Sequence, residues 1–563
     1  MLSLPLLVLF IIQKASHLVQ GSWLSQTRPY SFASPDYSGF AFNSKYENIL
    51  YPRFFTCKVF FARYVCVYEL YAGTFKKKNY KFYFKNYVEI CFSFSRVYNT
   101  SSFMKNKNKN KKGTSPYLIV LLSFVGVIIL GSVLLTLPFS HKDGQWGNYM
   151  DSLFIATSAT CVTGLSTYAK GIGGELTFVG QLVVLIMIQI GGLGFITIFT
   201  FFISLFQRKL QFKDRLFLSQ AVNSNTIAGV SKFVKHVIFI VLTIVILGFL
   251  LGLPVFLQVP EYTPLEAVWA SLFTSVSAFN NAGFDIFGAY SLLRVAENPI
   301  IYNLPEWAYY YMCSYIMILI ILGGISFITI IDIVILRKKP RQWNGFVKIV
   351  LLTTGVLLVS GFVIFALTDC IQGTITPFEA LFESVTLRTA GFANFDQNNL
   401  SVAGKSLSCL FMFIGGSPIS TAGGIKTTTI FIIVLCLVRF LQGKSITAFK
   451  REYTRSSILK AMSLVFLSLL TVIIGFVIVR SIENGKELAT SENVMFEIFS
   501  AFGTVGVSAG LTPGLEIGSK IVIIILMFFG RLGPITLFQL FQTNTSSEEN
   551  IHFKRVEADV IIG

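Results

Sequence analysis

Four stretches of this chain end alike, in an apolar run that closes on small polar residues and a glycine. Asp151 to Leu165 reads DSLFIATSATCVTGL, Ala270 to Phe284 reads ASLFTSVSAFNNAGF, Ala380 to Phe392 reads ALFESVTLRTAGF, and Met495 to Val507 reads MFEIFSAFGTVGV. Each is shorter than the about 20 residues a helix needs to cross a bilayer core of about 30 Å. The chemistry on offer is that of the backbone. A segment that enters a membrane and returns must leave its helix, and irregular backbone at that depth survives only against protein or a water-filled cavity. The carbonyls of Thr160, Cys161, Val162, Thr163 and Gly164 would then face a common axis with those of Phe279, Asn280, Asn281, Ala282 and Gly283. Leu387, Arg388, Thr389, Ala390 and Gly391 would complete the ring with Phe502, Gly503, Thr504, Val505 and Gly506. Rings of carbonyl oxygens replace the hydration shell of a monovalent cation. Glycine suits such a place because it accepts backbone conformations barred to other residues and adds no side chain to the path. The competing reading is a set of re-entrant packing loops that conduct nothing.

Three charged positions stand out in apolar surroundings. Arg531 lies inside an apolar helix, where an ionisable residue is costly and marks function or an ion pair. Beneath a cation filter its guanidinium would oppose passage and hold a loop; as an ion pair it would meet Glu383 or Glu497. Arg388 is expected to anchor its loop on a carboxylate such as Glu383. Lys426 belongs to Gly415–Thr429, GGSPISTAGGIKTTT, which is poor helix material. Gly415, Gly416, Ser417, Pro418, Gly423, Gly424 and Lys426 are expected to form an intramembrane gate below the filter. A nucleotide loop is set aside because Lys426 follows Ile425 and the GK[ST] step is absent.

The elements that must position these residues are long hydrophobic runs on either side of each short one. Full spans are expected at Tyr117–Leu137, Phe178–Phe206, His236–Leu257, Tyr309–Leu336, Val347–Leu367, Leu407–Phe440, Ile458–Val479 and Ile521–Phe541. The run 406–440 is too long for one crossing and must tilt or break. The expected fold is an all-α polytopic membrane protein with eight full transmembrane helices, built from four pseudo-symmetric span, pore-helix-loop, span repeats around a central pore. The repeats would occupy 113–230, 231–345, 346–455 and 456–541, with a tail over 542–563. Glycines at the middles of the second spans, such as Gly191-Gly192 and Gly323-Gly324, are expected to serve close packing. The linkers between units are basic, so they and both termini are expected inside and the glycine-ended loops near the outer face. Residues 1–112 depart from the pattern, with Met104 a candidate start.

Hydrophobic residues make up 53% of the chain and charged ones 13%, which excludes an ordinary soluble domain. The formal charge of +18 sits in short clusters between apolar runs, reads as a topology signal and does not point to nucleic acid. Eight cysteines without CxxC spacing and four scattered histidines offer neither a metal site nor a catalytic cluster. No enzyme activity and no cofactor bound by this chain are expected.

The motifs SATCVTGL, SAFNNAGF, TLRTAGF and SAFGTVG, with GGSPISTAGGIKTTT and FFGRLGP, resemble the Trk/Ktr/HKT superfamily of potassium transporters, most closely its Ktr-type membrane subunits. The resemblance covers about residues 113 to 563. It implies a four-unit chain around a potassium filter, the third unit's loop as gate and Arg531 as pore barrier. It further implies a homodimer in the cell membrane on a cytosolic ring of RCK-type nucleotide-binding regulatory subunits. Potassium is the implied cargo, sodium a promoter, and any nucleotide would act only through the partner. Gly164 resembles the potassium type; the alternative is a sodium-permeable or weakly selective member of the group.

Overall fold

An uncharged apolar run from Pro116 to Thr136 forms one helix, α1 (Pro116–Thr136), in the computed structural model. The structure describes residues 116–194, 230–260, 262–287, 305–335 and 339–533. The expectations for 1–112, for the spans beyond 194 and 533, and for the 542–563 tail lie outside them. After α1 come α2 (Tyr149–Cys161), α3 (Phe178–Leu193), α4 (Val230–Phe256), α5 (Pro264–Asn280) and α6 (Glu306–Gly324). Then follow α7 (Gly345–Phe365), α8 (Pro377–Thr386), α9 (Val402–Phe413) and α10 (Thr427–Leu441). A small hairpin pairs β1 (Thr447–Ala448) with β2 (Arg451–Glu452), and α11 (Arg455–Ile482), α12 (Ser491–Gly503) and α13 (Ile517–Leu532) complete the order.

Among the described residues, four stretches are long and apolar enough to cross a membrane: Phe233–Phe256, Glu306–Gly324, Gly345–Cys370 and Arg455–Ile482. Their outward faces carry exposed Leu242, Ile246, Val356, Val359, Phe466 and Ile473. In water such a band is a liability; in lipid it meets its natural solvent. The protein is a mostly helical membrane protein.

The short helices α2, α5, α8 and α12 begin with strong start signals. Thr263 and Glu266 form a capping box at α5, and Thr376 with Glu379 forms another at α8, each followed by proline in the first turn. Asn148 and Thr490 cap α2 and α12 through their side-chain oxygens. Asp151, Glu266, Glu379 and Glu492 lie in the first turns, complementing the positive end of each helix dipole. The negative ends point at the loops that follow. Packing fastens each short helix against two or three others: α2 lies against α1, α3 and α13; α5 against α4, α6 and α3; α8 against α7 and α6; α12 against α11, α13 and α9.

The second helix of each group stops at its small residues. α3 and α13 end on Gly194 (φ 78°) and Gly533 (φ 80°), and α9 gives way at Ile414 to the loop 414–426. The expected single span Tyr309–Leu336 is divided as well. α6 ends at Gly324, a short helical turn resumes at Phe327–Ile330, and a wider π-type turn follows over Ile331–Ile335. The physical reason is a distant partner: the N–H groups of Ser417 and Thr421 donate to the carbonyls of Gly324 and Gly323, at 3.1 and 3.2 Å. Phe327 N–H in turn donates to Ile419 O at 2.9 Å.

Candidate functional site

Each short helix ends the same way. Val162, Asn281, Thr389 and Thr504 take left-handed conformations with φ of 58°, 58°, 69° and 51°, and two residues later Gly164, Gly283, Gly391 and Gly506 also have positive φ. The four glycines abut one another in chain order. A Cβ on Gly164 would lie 2.6 Å from Ala282 O, and one on Gly283 would lie 2.7 Å from Ala390 O. One on Gly391 would meet Val505 O, and one on Gly506 would meet Thr163 O. The residue before each glycine thus turns its carbonyl onto the glycine of the preceding unit, and the carbonyl of Thr163 in the first unit meets Gly506 of the last. Thr163, Ala282, Ala390 and Val505 close a ring of four carbonyls.

The opposite side of that backbone is tied down. Thr163, Ala282 and Val505 donate their N–H groups to Ser158, Ser277 and Ser500 carbonyls at 2.8 Å, five residues back. Gly164 and Gly506 N–H donate to the hydroxyls of Ser158 and Ser500 at 3.1 and 3.0 Å. The third unit is one residue shorter, so Ala390 N–H reaches Thr386 O at 2.9 Å instead. With the donors occupied behind the loop, the carbonyls are left to the front. The hydroxyls of Thr160, Thr163, Thr389 and Thr504 are buried with no protein partner among the described residues, so the site carries further unclaimed oxygens. The helix glycines fit against this backbone: a Cβ on Gly191, Gly323 or Gly530 would strike the carbonyl of Thr160, Phe279 or Phe502.

Below the ring lies the loop 414–426. Ile414 and Ile425 pair side by side, which brings its two ends together. Thr421 Oγ1 donates to Gly323 O at 2.9 Å and touches Phe279 O at 3.3 Å, so the loop rests directly on the second unit's stretch. Gly423 packs so closely on Thr504 that a Cβ there would overlap its hydroxyl. Lys426 Nζ folds back on the loop, donating to Ala422 O at 2.8 Å and Gly423 O at 3.3 Å. Ser417 is buried and faces α6 through its N–H to Gly324 O, and the half-buried Pro418 follows it. Arg531 joins the parts: its guanidinium donates to Thr421 O, to Gly191 O and, at 3.2 Å, to Gly192 O. One side chain therefore links the fourth unit, the first unit and the third unit's loop.

One alternative weighed for Arg531 and one expectation for Arg388 give way here. Arg531 forms no ion pair with Glu383 or Glu497; two carbonyls from the last turn of α3 and one from the loop 414–426 satisfy it instead. Arg388 is buried, but among the described residues no ion pair links it to Glu383, and its Nε and Nη2 lack partners. Glu383 accepts from Gln397 Nε2 at 3.1 Å, while Glu497 accepts from the hydroxyls of Ser508 and Thr512. The two carboxylates hold the chain leaving the ring, not the arginines. Thr421, which the sequence reading passed over, was detectable only as a hydroxyl set among glycines.

A family model described as TrkH, cation transport protein, matches residues 84–553. The chain belongs to the TrkH family. Potassium/sodium uptake protein NtpJ of Enterococcus hirae is 35% identical over 466 residues, 81% of this chain and 99% of its own length. Ktr system potassium uptake protein B of Bacillus subtilis is 35% identical over 452 residues, 78% of this chain and 95% of its own. The crystal structure of the potassium transporter TrkH from Vibrio parahaemolyticus superposes with a TM-score of 0.57 at 18% identity, over 78% of this chain and 87% of that one. That likeness is one of fold. As a TrkH-family member the protein is a cation transporter and not an enzyme, in keeping with the absence of catalytic clusters in its sequence.

Proposed function

We propose that the protein takes up potassium across the cell membrane through a filter formed by the four glycine-ended loops. The observation that carries this reading is the ring of Thr163, Ala282, Ala390 and Val505 carbonyls, closed in chain order and backed by occupied N–H groups. Four short helices aim their negative ends at it, which favours a cation. In this reading the chain has four pseudo-symmetric units and eight full spans, with repeats over 113–230, 231–345, 346–455 and 456–541. Both termini are cytoplasmic. The loop 414–426 is a gate, and Arg531 is both its latch and an electrostatic barrier. The subunit works as a homodimer on a cytosolic ring of nucleotide-binding regulatory subunits, with sodium promoting uptake.

A second reading, a sodium-permeable transporter, is favoured by the name of the Enterococcus hirae relative, a potassium/sodium uptake protein. Uptake of rubidium, potassium and sodium in a host lacking its own potassium uptake separates the two. Potassium selectivity that Gly164→Ser degrades supports the filter; transport and selectivity unaltered by that change refute it.

A further inference from the structure

The second helices carry one contact at a shared register. Gln181, Tyr309, Lys405 and Lys520 are each the fourth residue of α3, α6, α9 and α13. Each reaches the beginning of the next short helix. Gln181 Oε1 accepts from the Trp269 indole of α5 at 2.7 Å, and the Tyr309 ring lies 6.0 Å from that of Phe378 in α8. Lys405 Nζ donates to Asn493 Oδ1 of α12 at 3.1 Å, and Lys520 Nζ meets Asp151 Oδ1 of α2 at 2.7 Å. The four contacts form a second ring, one helix length from the carbonyl ring.

Three of these fasteners join units that follow each other along the chain. The fourth does not: Lys520 and Asp151 meet where the last unit returns to the first, and no linker crosses that seam. It is also the one ion pair of the four, with side chains only 12% and 19% exposed. Across the same seam Gly506 presses on Thr163 O and Gly164, the tightest of the glycine contacts in the ring. Because α2 is a short rigid rod with Asp151 in its first turn and the ring at its far end, a shift at one end tilts the other.

We propose that Lys520 and Asp151 are positioning residues for ion discrimination, a clasp that fixes the carbonyl spacing across the seam where the ring closes without covalent help. This rests on the filter reading above. Discrimination between potassium and sodium depends on the number and placement of carbonyl dipoles, so a seam that loosens lets the oxygens close around a smaller ion.

The test uses the full chain in a host lacking potassium uptake, with Lys520→Met, Asp151→Asn, and the exchanged pair Asp151→Lys with Lys520→Asp. Each single change is expected to lower the rubidium-to-sodium uptake ratio by about three- to tenfold, the scale of a partly desolvated pair. The exchanged pair is expected to return it to within about twofold of the parent. A merely structural contact would lower total uptake of both ions alike. The proposal is overturned if the single changes leave the ratio unaltered while Gly164→Ser shifts it, or if they lower the ratio and the exchanged pair fails to restore it. Should Gly164→Ser shift nothing, the filter reading fails by itself. The clasp is still read from the ratio, which each single change must lower and the exchanged pair restore; an equal loss of both ions overturns it.

Discussion

At Gly283 a methyl group has no room: it would lie 2.7 Å from both Ala390 O and Gly391 Cα, at a φ of 67° that β-carbons resist. Gly283→Ala is therefore expected to abolish rubidium uptake while the protein still reaches the membrane, which uptake assays and membrane immunoblots check together. Arg531 sets the opposite case. Its replacement by alanine frees the Thr421, Gly191 and Gly192 carbonyls and removes a guanidinium from below the ring. Under the proposed gate, Arg531→Ala raises flux several-fold; flux at or below the parent level in flux-calibrated vesicles would contradict it. Both residues were conspicuous in the sequence, the glycine by recurrence and the arginine by its apolar setting. Their partners were not. A sequence shows that Arg531 must find something, but its acceptors exist only because helices elsewhere stop and release carbonyls.

At the scale of elements, the short helices were legible because capping residues, first-turn acids and terminal glycines are local signals. The break in 406–440 was legible because glycine and proline interrupt it. The break after Gly324 was hidden, since its neighbours are as apolar as a continuous span and the donors that end it, Ser417 and Thr421, come from about a hundred residues away. That exchange yields a prediction. Ile414 and Ile425 already lie side by side, so Gly415–Gly424 between them can be replaced by a short glycine-serine bridge without parting α9 from α10. The shortened protein is expected to carry more potassium than the parent, and equal flux would count against a gate. A different joint holds the ends of α11 and α13. Lys486 Nζ lies 2.8 Å from Glu483 and 3.1 Å from Glu516, and Glu516 N–H donates to Glu483 at 2.8 Å. Burial would raise the Glu483 carboxyl, but the Lys486 ammonium and the Glu516 N–H outweigh it and hold it below the usual range; Glu483 in return raises Lys486. A depressed carboxylate stabilises above its unfolded pKa and loses that contribution as pH falls through its folded one. The raised lysine contributes below its unfolded pKa and loses its share as pH rises through its folded one. Lys486→Met, at a solvent-screened lysine, should thus cost at most about 1 kcal/mol near neutrality, and thermal scans should show the gap from the parent narrowing in acid.

For the whole molecule, the apolar bands on α7 and α11 must meet lipid or a second copy. The proposed homodimer predicts a particle of twice the mass that the denatured chain shows, in light scattering corrected for detergent; a monomer mass would refute it. Fold class and transporter character followed from composition and recurrence, because both are sums over many residues and no single contact decides them. The carbonyl ring carries one more consequence. In a channel assembled from four identical chains, every substitution arrives four times. Here Thr163, Ala282, Ala390 and Val505 are each encoded once, so a mutation alters one oxygen and spares three. Where the glycines themselves are kept, natural variation can explore ion preference a quarter at a time.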